Sequence, residues 1–473
     1  MKNGKQYIAV AVILIVILVS AFFIRINTFW LPHWRGDQSM YITLALKLEK
    51  LGLDHYNLRG ADINFLYPEK DRSVYLIFPV LTDNPKDKGF LLKALGDEGI
   101  AYYDIPLFHT PPGFSYLLML SHKFFCAKGD DLYAVLSAPG ENLPGELRSF
   151  VFLMQFYAVI VPLLFSLGLI LLTFFFGKLL FSPRVGLYAA FLMAVNPIDI
   201  LTSQKIWADD PVSFFILLSL FLFIIAIKKG APYLVFVAGM ACGLALLLKH
   251  VGGFLLIVIW IFTALDRYIK NPKIISLPMA FFNKDFILFA AGTFAVSGFW
   301  FLKVYQVYGN PLYLPHMASV VTSDKTGWFI MLAKRPVGYL LYPVVTFCLC
   351  PPLVLALLSL RDFMIEAVNL LKKRHYDFKF ILLWLVIGIF YVILGSMTKE
   401  ERYMLPVYPI IAVLAGYCLE RSIAYAWKIG RLTIGPLFRE GMVMAVLSVC
   451  AWWCITIGLK TALGEVPLFL IPF

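Results

Sequence analysis

The sequence predicts an all-α, polytopic membrane protein, and three observations carry the prediction. Of 473 residues, 60% are hydrophobic and only 15% are charged, a balance foreign to a soluble domain of that length. Apolar runs long enough, at 1.5 Å per residue, to cross roughly 30 Å of hydrocarbon recur along the chain. The connections between them are short and hold most of the Lys and Arg residues.

The same composition excludes several functions. A net charge of +12 could indicate nucleic acid, but the basic residues stand singly or in pairs between apolar runs, without a continuous basic face. Anionic lipid and phosphate are better partners for them. Of seven cysteines, Cys126 alone lies in an extramembrane region; the others fall in apolar runs and read as small core residues, so neither a disulfide framework nor a zinc ribbon is indicated. No P-loop and no dinucleotide-type glycine turn is present.

In chain order, Tyr7 to Ile24 is a first span, read as uncleaved because no small-residue cleavage site follows Ser20. Residues 25–149 form one extracytoplasmic loop punctuated by Gly, Pro, Asp and Asn. In it Ser39 to Leu51 has the period of an amphipathic helix, with Met40, Leu44, Leu48 and Leu51 on one face, as in a helix lying along a bilayer surface. Pro112 to Phe125 is apolar but short, a second interfacial helix. The membrane domain, 150–473, then offers spans near 150–176, 185–201, 211–227, 232–248, 251–266, 285–302, 337–360, 379–396, 404–420 and 441–459. With the first, that makes about eleven.

With the N-terminus in the cytoplasm, about 19 basic residues fall on the inner side and about 9 in the short outer connections and tail. The bias places the N-terminus inside and the long loop outside.

Several unusual polar groups then share the outer face. Asp37, in Trp34-Arg-Gly-Asp-Gln-Ser-Met-Tyr41, lies between the first span and an interfacial helix, where it can meet a lipid headgroup or cap that helix. In Lys205-Ile-Trp-Ala-Asp-Asp-Pro211, Pro211 suits a first helical turn and makes Asp210 the expected cap. Asp209 is left as a solvated loop acid or a group facing a cavity. Lys249, in a connection of almost no length, either snorkels to the headgroups or contacts a phosphate. Lys399 and Arg402 flank Glu400 and Glu401; they form a self-neutralising surface network or hold a phosphate in a planar fork of donors. His109, in His-Thr-Pro-Pro112, marks a rigid turn or a substrate contact.

Taken together and in this order, these motifs resemble the GT-C class of membrane glycosyltransferases, in particular family 39 and its bacterial relatives, the protein O-mannosyltransferases and the lipid A aminoarabinose transferases. Further matches are Leu147-Arg-Ser149 leading to Phe176-Gly-Lys-Leu-Leu-Phe181, Tyr308-Gly-Asn-Pro311, and Arg335-Pro336 with Gly338-Tyr339. The resemblance implies a GT-C fold and inverting transfer of a sugar from a polyprenyl or dolichyl phosphate to a lipid, glycan or protein hydroxyl on the outer face. It assigns the general base to Asp37 and donor-phosphate binding to Lys249, Lys399 and Arg402. Tyr41, Tyr403 and His109 become substrate-contact candidates, and Asp209 a second acid. The family often carries Asp-Glu where this chain has Asp37-Gln38. The role of a second carboxylate there, metal binding included, is thereby left open, and a divalent metal is the one cofactor considered.

Other readings compete: a transporter or flippase for a lipid-linked sugar, and a non-catalytic membrane scaffold or a ligase using a lipid-linked oligosaccharide. Transporters place charged or broken-helix sites near the midplane and often show internal repeats; here the polar groups cluster at the outer ends of spans. A bacterial inner membrane is the expected location.

Overall fold

The computed structural model describes residues 2–27, scattered positions from 38 to 56, then 110–125, 145–270, 283–312, 348–372, 376–394, 401–424 and most of 428–463. Asp37, His109 and Lys399 lie outside the described residues. Among those described the chain is helical, apart from a two-residue antiparallel pair of β1 (Lys428–Ile429) and β2 (Leu432–Thr433). Seven described helices are long and apolar enough to cross a membrane.

The outermost is α1 (Lys2–Arg25), of whose apolar window only 11% is buried, as suits a helix facing lipid. After α2 (Gly113–Phe125) comes α3 (Gly145–Leu180), which runs past both ends of the expected span and contains Pro162. The run expected at 185–201 is divided. It consists of α4 (Pro183–Ala194) and α5 (Pro197–Thr202), separated at Asn196. The Asn196 side-chain oxygen accepts from the backbone N–H groups of Ile198 (2.9 Å) and Asp199 (3.2 Å). An Asn cap followed by Pro at the first helical position starts a new helix whatever the hydropathy around it.

Next come α6 (Asp209–Lys229), closed by left-handed Gly230, α7 (Pro232–Leu248), α8 (Phe254–Lys270) and α9 (Lys284–Tyr308). In hydrocarbon, helices associate through close backbone approach, which small residues permit. Gly239 and Gly243, one turn apart on α7, supply it. A Cβ on Gly239 would stand 2.0 Å from the Phe289 carbonyl oxygen, and one on Gly243 2.5 Å from that of Thr293, both on α9.

Of the run expected at 337–360, the described part begins at 348 and is no uniform α-helix. Pro351–Ser359 is a 3-10 segment opening on two prolines and passing into α10 (Leu360–Leu371). Then follow α11 (Phe378–Leu394), a 3-10 segment Glu401–Val407, α12 (Tyr408–Ala424) and α13 (Pro436–Leu463). The centre of the bundle is α12, packed against α4 and the 351–359 segment, with 83% of its window buried against 22% for α13. Among the described cysteines, Cys348 is exposed, a correction to its reading as a core residue.

Gly239→Ala is expected to force α7 and α9 apart, a cost of about 1–3 kcal/mol, measurable as a lower thermal unfolding midpoint in detergent. Gly388→Ala, on α11 with nothing within 4 Å of the added carbon, should leave the midpoint unchanged or slightly higher.

Candidate active site

Three segments deliver side chains to one place. The connection from α5 to α6 carries Trp207 and leads into Asp209. Between α7 and a 3-10 turn, His250–Gly253, the chain breaks at Lys249, whose backbone is extended (φ −159°, ψ 138°). The 3-10 segment Glu401–Val407 carries Arg402 and Tyr403 and lies against α5, α6, α11 and α12. Pro406 within it has no N–H to offer, so this stretch does not continue as regular helix.

The side chains meet around two aromatic rings. Lys249 Nζ donates to Asp209 Oδ1 at 2.8 Å and stands 4.1 Å from the Tyr403 ring centroid. The Arg402 guanidinium lies 4.1 Å over the Trp207 ring and 5.1 Å from that of Tyr403, and its Nη2 donates to the Tyr403 hydroxyl at 3.2 Å. Each cation–π contact is worth roughly 0.5–2 kcal/mol, more where water is excluded. Arg402 is 5% exposed and Asp209 3%, whereas the Lys249 side chain is 24% exposed. Among the described residues this group holds two cations and one carboxylate. An ammonium has three donors, and Asp209 occupies one of those on Lys249. The arrangement suits an anion reaching Lys249 from the open side.

The first loop fastens beside this cluster. Gln38, 8% exposed, accepts the Ile206 N–H through Oε1 at 3.1 Å. Behind it Tyr41, Ile42, Leu44 and Ala45 are buried within the protein. Leu44, on the face expected to meet lipid, is thus covered by protein. The Tyr41 ring stands edge-on to Phe114 (4.8 Å), and its carbonyl accepts from Ser115 Oγ (3.4 Å). Both of these contacts of Tyr41 are with α2. Tyr56 donates to the Pro111 carbonyl at 3.1 Å; burial pushes its hydroxyl up to about 12, so it stays a neutral donor. His122 and Glu49 pair at 2.8 Å, tying α2 to the helical part of the loop.

Asp210 is not the cap expected of it. Ala208 holds that position, and Asp210 lies in the first turn of α6, accepting from Thr202 Oγ1 at 3.1 Å. It belongs to a second, fully buried polar group that sequence reasoning missed. Arg25, at the end of α1, donates through Nε to Ser166 Oγ (2.7 Å), through Nη1 to the Ala194 carbonyl (2.9 Å), and through Nη2 to Asp199. Ser166 Oγ also donates to Asp199 Oδ2 at 2.9 Å. Asn196-Pro197 could have signalled the helix start that presents Asp199, and Trp207 could have been noted as an aromatic beside an acid pair. Nothing local announces Arg25, which reads as a flank of its span.

Among the described residues, no group of three or more His, Cys, Asp or Glu side chains could hold a metal ion. Asp209 is bonded to Lys249, and Asp199 to Arg25. These residues do not fit a metal centre.

The architecture matches solved structures along nearly its whole length. An oligosaccharyltransferase from Archaeoglobus fulgidus, in complex with zinc and sulfate, superposes with a TM-score of 0.55 at 15% identity, covering 95% of this chain and 53% of that one. The fold is that of the GT-C membrane glycosyltransferases. ArnT from Cupriavidus metallidurans bound to undecaprenyl phosphate matches with a TM-score of 0.51 at 14% identity, over 95% of this chain and 64% of that one. The A. fulgidus oligosaccharyltransferase AglB, in complex with an inhibitory peptide and a dolichol-phosphate, gives 0.51 at 14% identity, over 97% and 56%. This chain therefore spans about half to two thirds of the length of these proteins. The family model for dolichyl-phosphate-mannose-protein mannosyltransferases matches residues 150–290, a stretch that includes Trp207, Asp209 and Lys249. No curated protein matches the chain.

Proposed function

We propose that this protein is an inverting glycosyltransferase that moves a sugar from a polyprenyl phosphate to an acceptor hydroxyl at the extracytoplasmic face, with its N-terminus in the cytoplasm. The observation that carries the proposal is the convergence of Lys249 and Arg402, 153 positions apart by number (402 − 249), on the single ring of Tyr403. A guanidinium beside a part-exposed ammonium makes a receptor for an anion. A sugar phosphate supplies one, and the GT-C fold and the family match over 150–290 supply the chemical class.

In this reading, breaking the sugar–phosphate bond leaves negative charge on the departing phosphate. Lys249 and Arg402 stabilise that charge, the guanidinium held in its plane by Trp207 and the ammonium held by Asp209. Lys399, three residues before Arg402 in sequence, adds a third cation. Asp37 takes the proton from the acceptor oxygen as it attacks the anomeric carbon from the face opposite the phosphate. One base and two or three cations suffice, because the lipid phosphate is already an adequate leaving group. His109, Tyr41 and Tyr403 are the remaining substrate contacts.

The test is release of free polyprenyl phosphate from radiolabelled polyprenyl-phosphate sugars by the purified protein, with membrane envelope as the source of acceptor. Turnover of at least one such donor is expected. Turnover confined to polyprenyl-pyrophosphate oligosaccharides would establish the ligase instead. No turnover of any donor, with the labelled lipid crossing the bilayer intact in vesicles, would establish a flippase.

A further inference from the structure

Gln38 is the described point at which the first loop hydrogen-bonds to the connection between α5 and α6, across 168 positions of sequence. Its partner, the Ile206 N–H, belongs to a residue that is fully buried, where a peptide donor deprived of its acceptor is costly. The turn around it is tight. Trp207 N donates to the Lys205 carbonyl at 2.8 Å, two residues back, so a shift at Ile206 passes directly to Trp207. On the other flank, Lys205 Nζ donates to the Ala462 carbonyl near the end of α13 at 3.0 Å. Burial lowers the ammonium below the usual lysine range. Trp207 is thus held through its backbone from two sides, and the Arg402 guanidinium rests on its ring.

We infer that Gln38 is a positioning residue for the anion site: by accepting the Ile206 N–H it fixes the backbone of Trp207, and the Trp207 ring sets the plane of Arg402. A guanidinium presents its donors in a rigid fork, so the tilt of the ring beneath it decides where they point. The inference rests on the reading of Arg402 as a binder of the donor phosphate.

The experiment is a double-mutant cycle on the full-length purified protein, read as equilibrium binding of undecaprenyl phosphate, with thermal midpoints recorded alongside. Gln38→Met, which keeps the length and loses the acceptor, should weaken binding about tenfold. Gln38→Glu, which keeps an oxygen in place, should stay within about threefold of wild type. Gln38→Ala replaces the Met variant in the cycle if that protein does not fold. In an Arg402→Ala background, itself weaker, the Met substitution should add nothing. An equal loss in both backgrounds, or no loss in either, overturns the role assigned to Gln38. Wild-type binding by Arg402→Ala alone overturns the phosphate reading of Arg402 on which it rests, an outcome separate from the other two.

Discussion

Asp37→Asn in the purified protein should lower release of polyprenyl phosphate by about a hundredfold or more, with donor binding kept within a few-fold of wild type. The substitution retains size and polarity and removes only basicity, and loss of a positioned general base costs roughly 10²–10⁴ in rate. Donor binding should survive because Lys249 and Arg402 are untouched. If Asp37 serves only to cap the helical part of the first loop, Asn is itself a good cap, and both rate and stability should be nearly unchanged. The two roles thus predict opposite outcomes from one variant. Unchanged turnover would return Asp37 to the cap and direct attention to Asp209, which already holds Lys249.

Arg25→Met should be the most destabilising single change among the described residues, by about 3–5 kcal/mol, the range for breaking a buried ion pair from one side. Arg25 is fully buried, and its donors reach Ser166, Asp199 and the carbonyls of Ala21, Met193 and Ala194. It closes the open C-terminal end of α4 and neutralises Asp199 at the same time. Methionine fills the volume but leaves the helix end unmet and the carboxylate without its counter-charge. Arg25→Lys should rescue only part of the loss, because one ammonium cannot reach partners spread over three helices. Thermal unfolding in detergent, followed by loss of the monodisperse peak, reads both variants. A midpoint for Arg25→Met within a degree or two of wild type would contradict this account of the junction between α1, α3, α4 and α5.

The parts of the fold legible in the sequence are those set by local composition. The apolar run at 232–248 became α7 with the same bounds, ending where Lys249 interrupts it. The 211–227 run became α6, two residues longer at each end. Hydropathy is blind to the break at Asn196-Pro197, because a cap and a proline interrupt a helix without changing its mean polarity. Local signals of that kind were present and could have been read. The remaining misses are of another sort. Nothing near Lys249 in sequence shows that Asp209, 40 positions away, will receive its ammonium. Nothing near Arg25 shows that it will be buried against Asp199, 174 positions on. Such pairings are decided by how helices stack, and one-dimensional patterning carries little of that information. Tyr403 could be named from its neighbours, but its place between two cations could not. Nothing local to Trp207 shows that Arg402, far along the chain, will rest on its ring.

The most direct test of the central claim is headgroup discrimination: equilibrium binding of undecaprenyl phosphate and of undecaprenol, the same lipid without its phosphate, to wild type and to the Lys249→Ala/Arg402→Ala double variant. The two lipids share every apolar contact and differ only in the charge that the cluster is proposed to receive. Wild type should prefer the phosphate by a hundredfold or so, as expected for two charge-assisted contacts of about 1.5 kcal/mol or more each. The double variant should lose most of that preference, keeping only the small share that Lys399 supplies. Equal binding of the two lipids by wild type, or full preference for the phosphate in the double variant, would contradict the assignment of the Lys249, Arg402 and Tyr403 cluster as the donor-phosphate site.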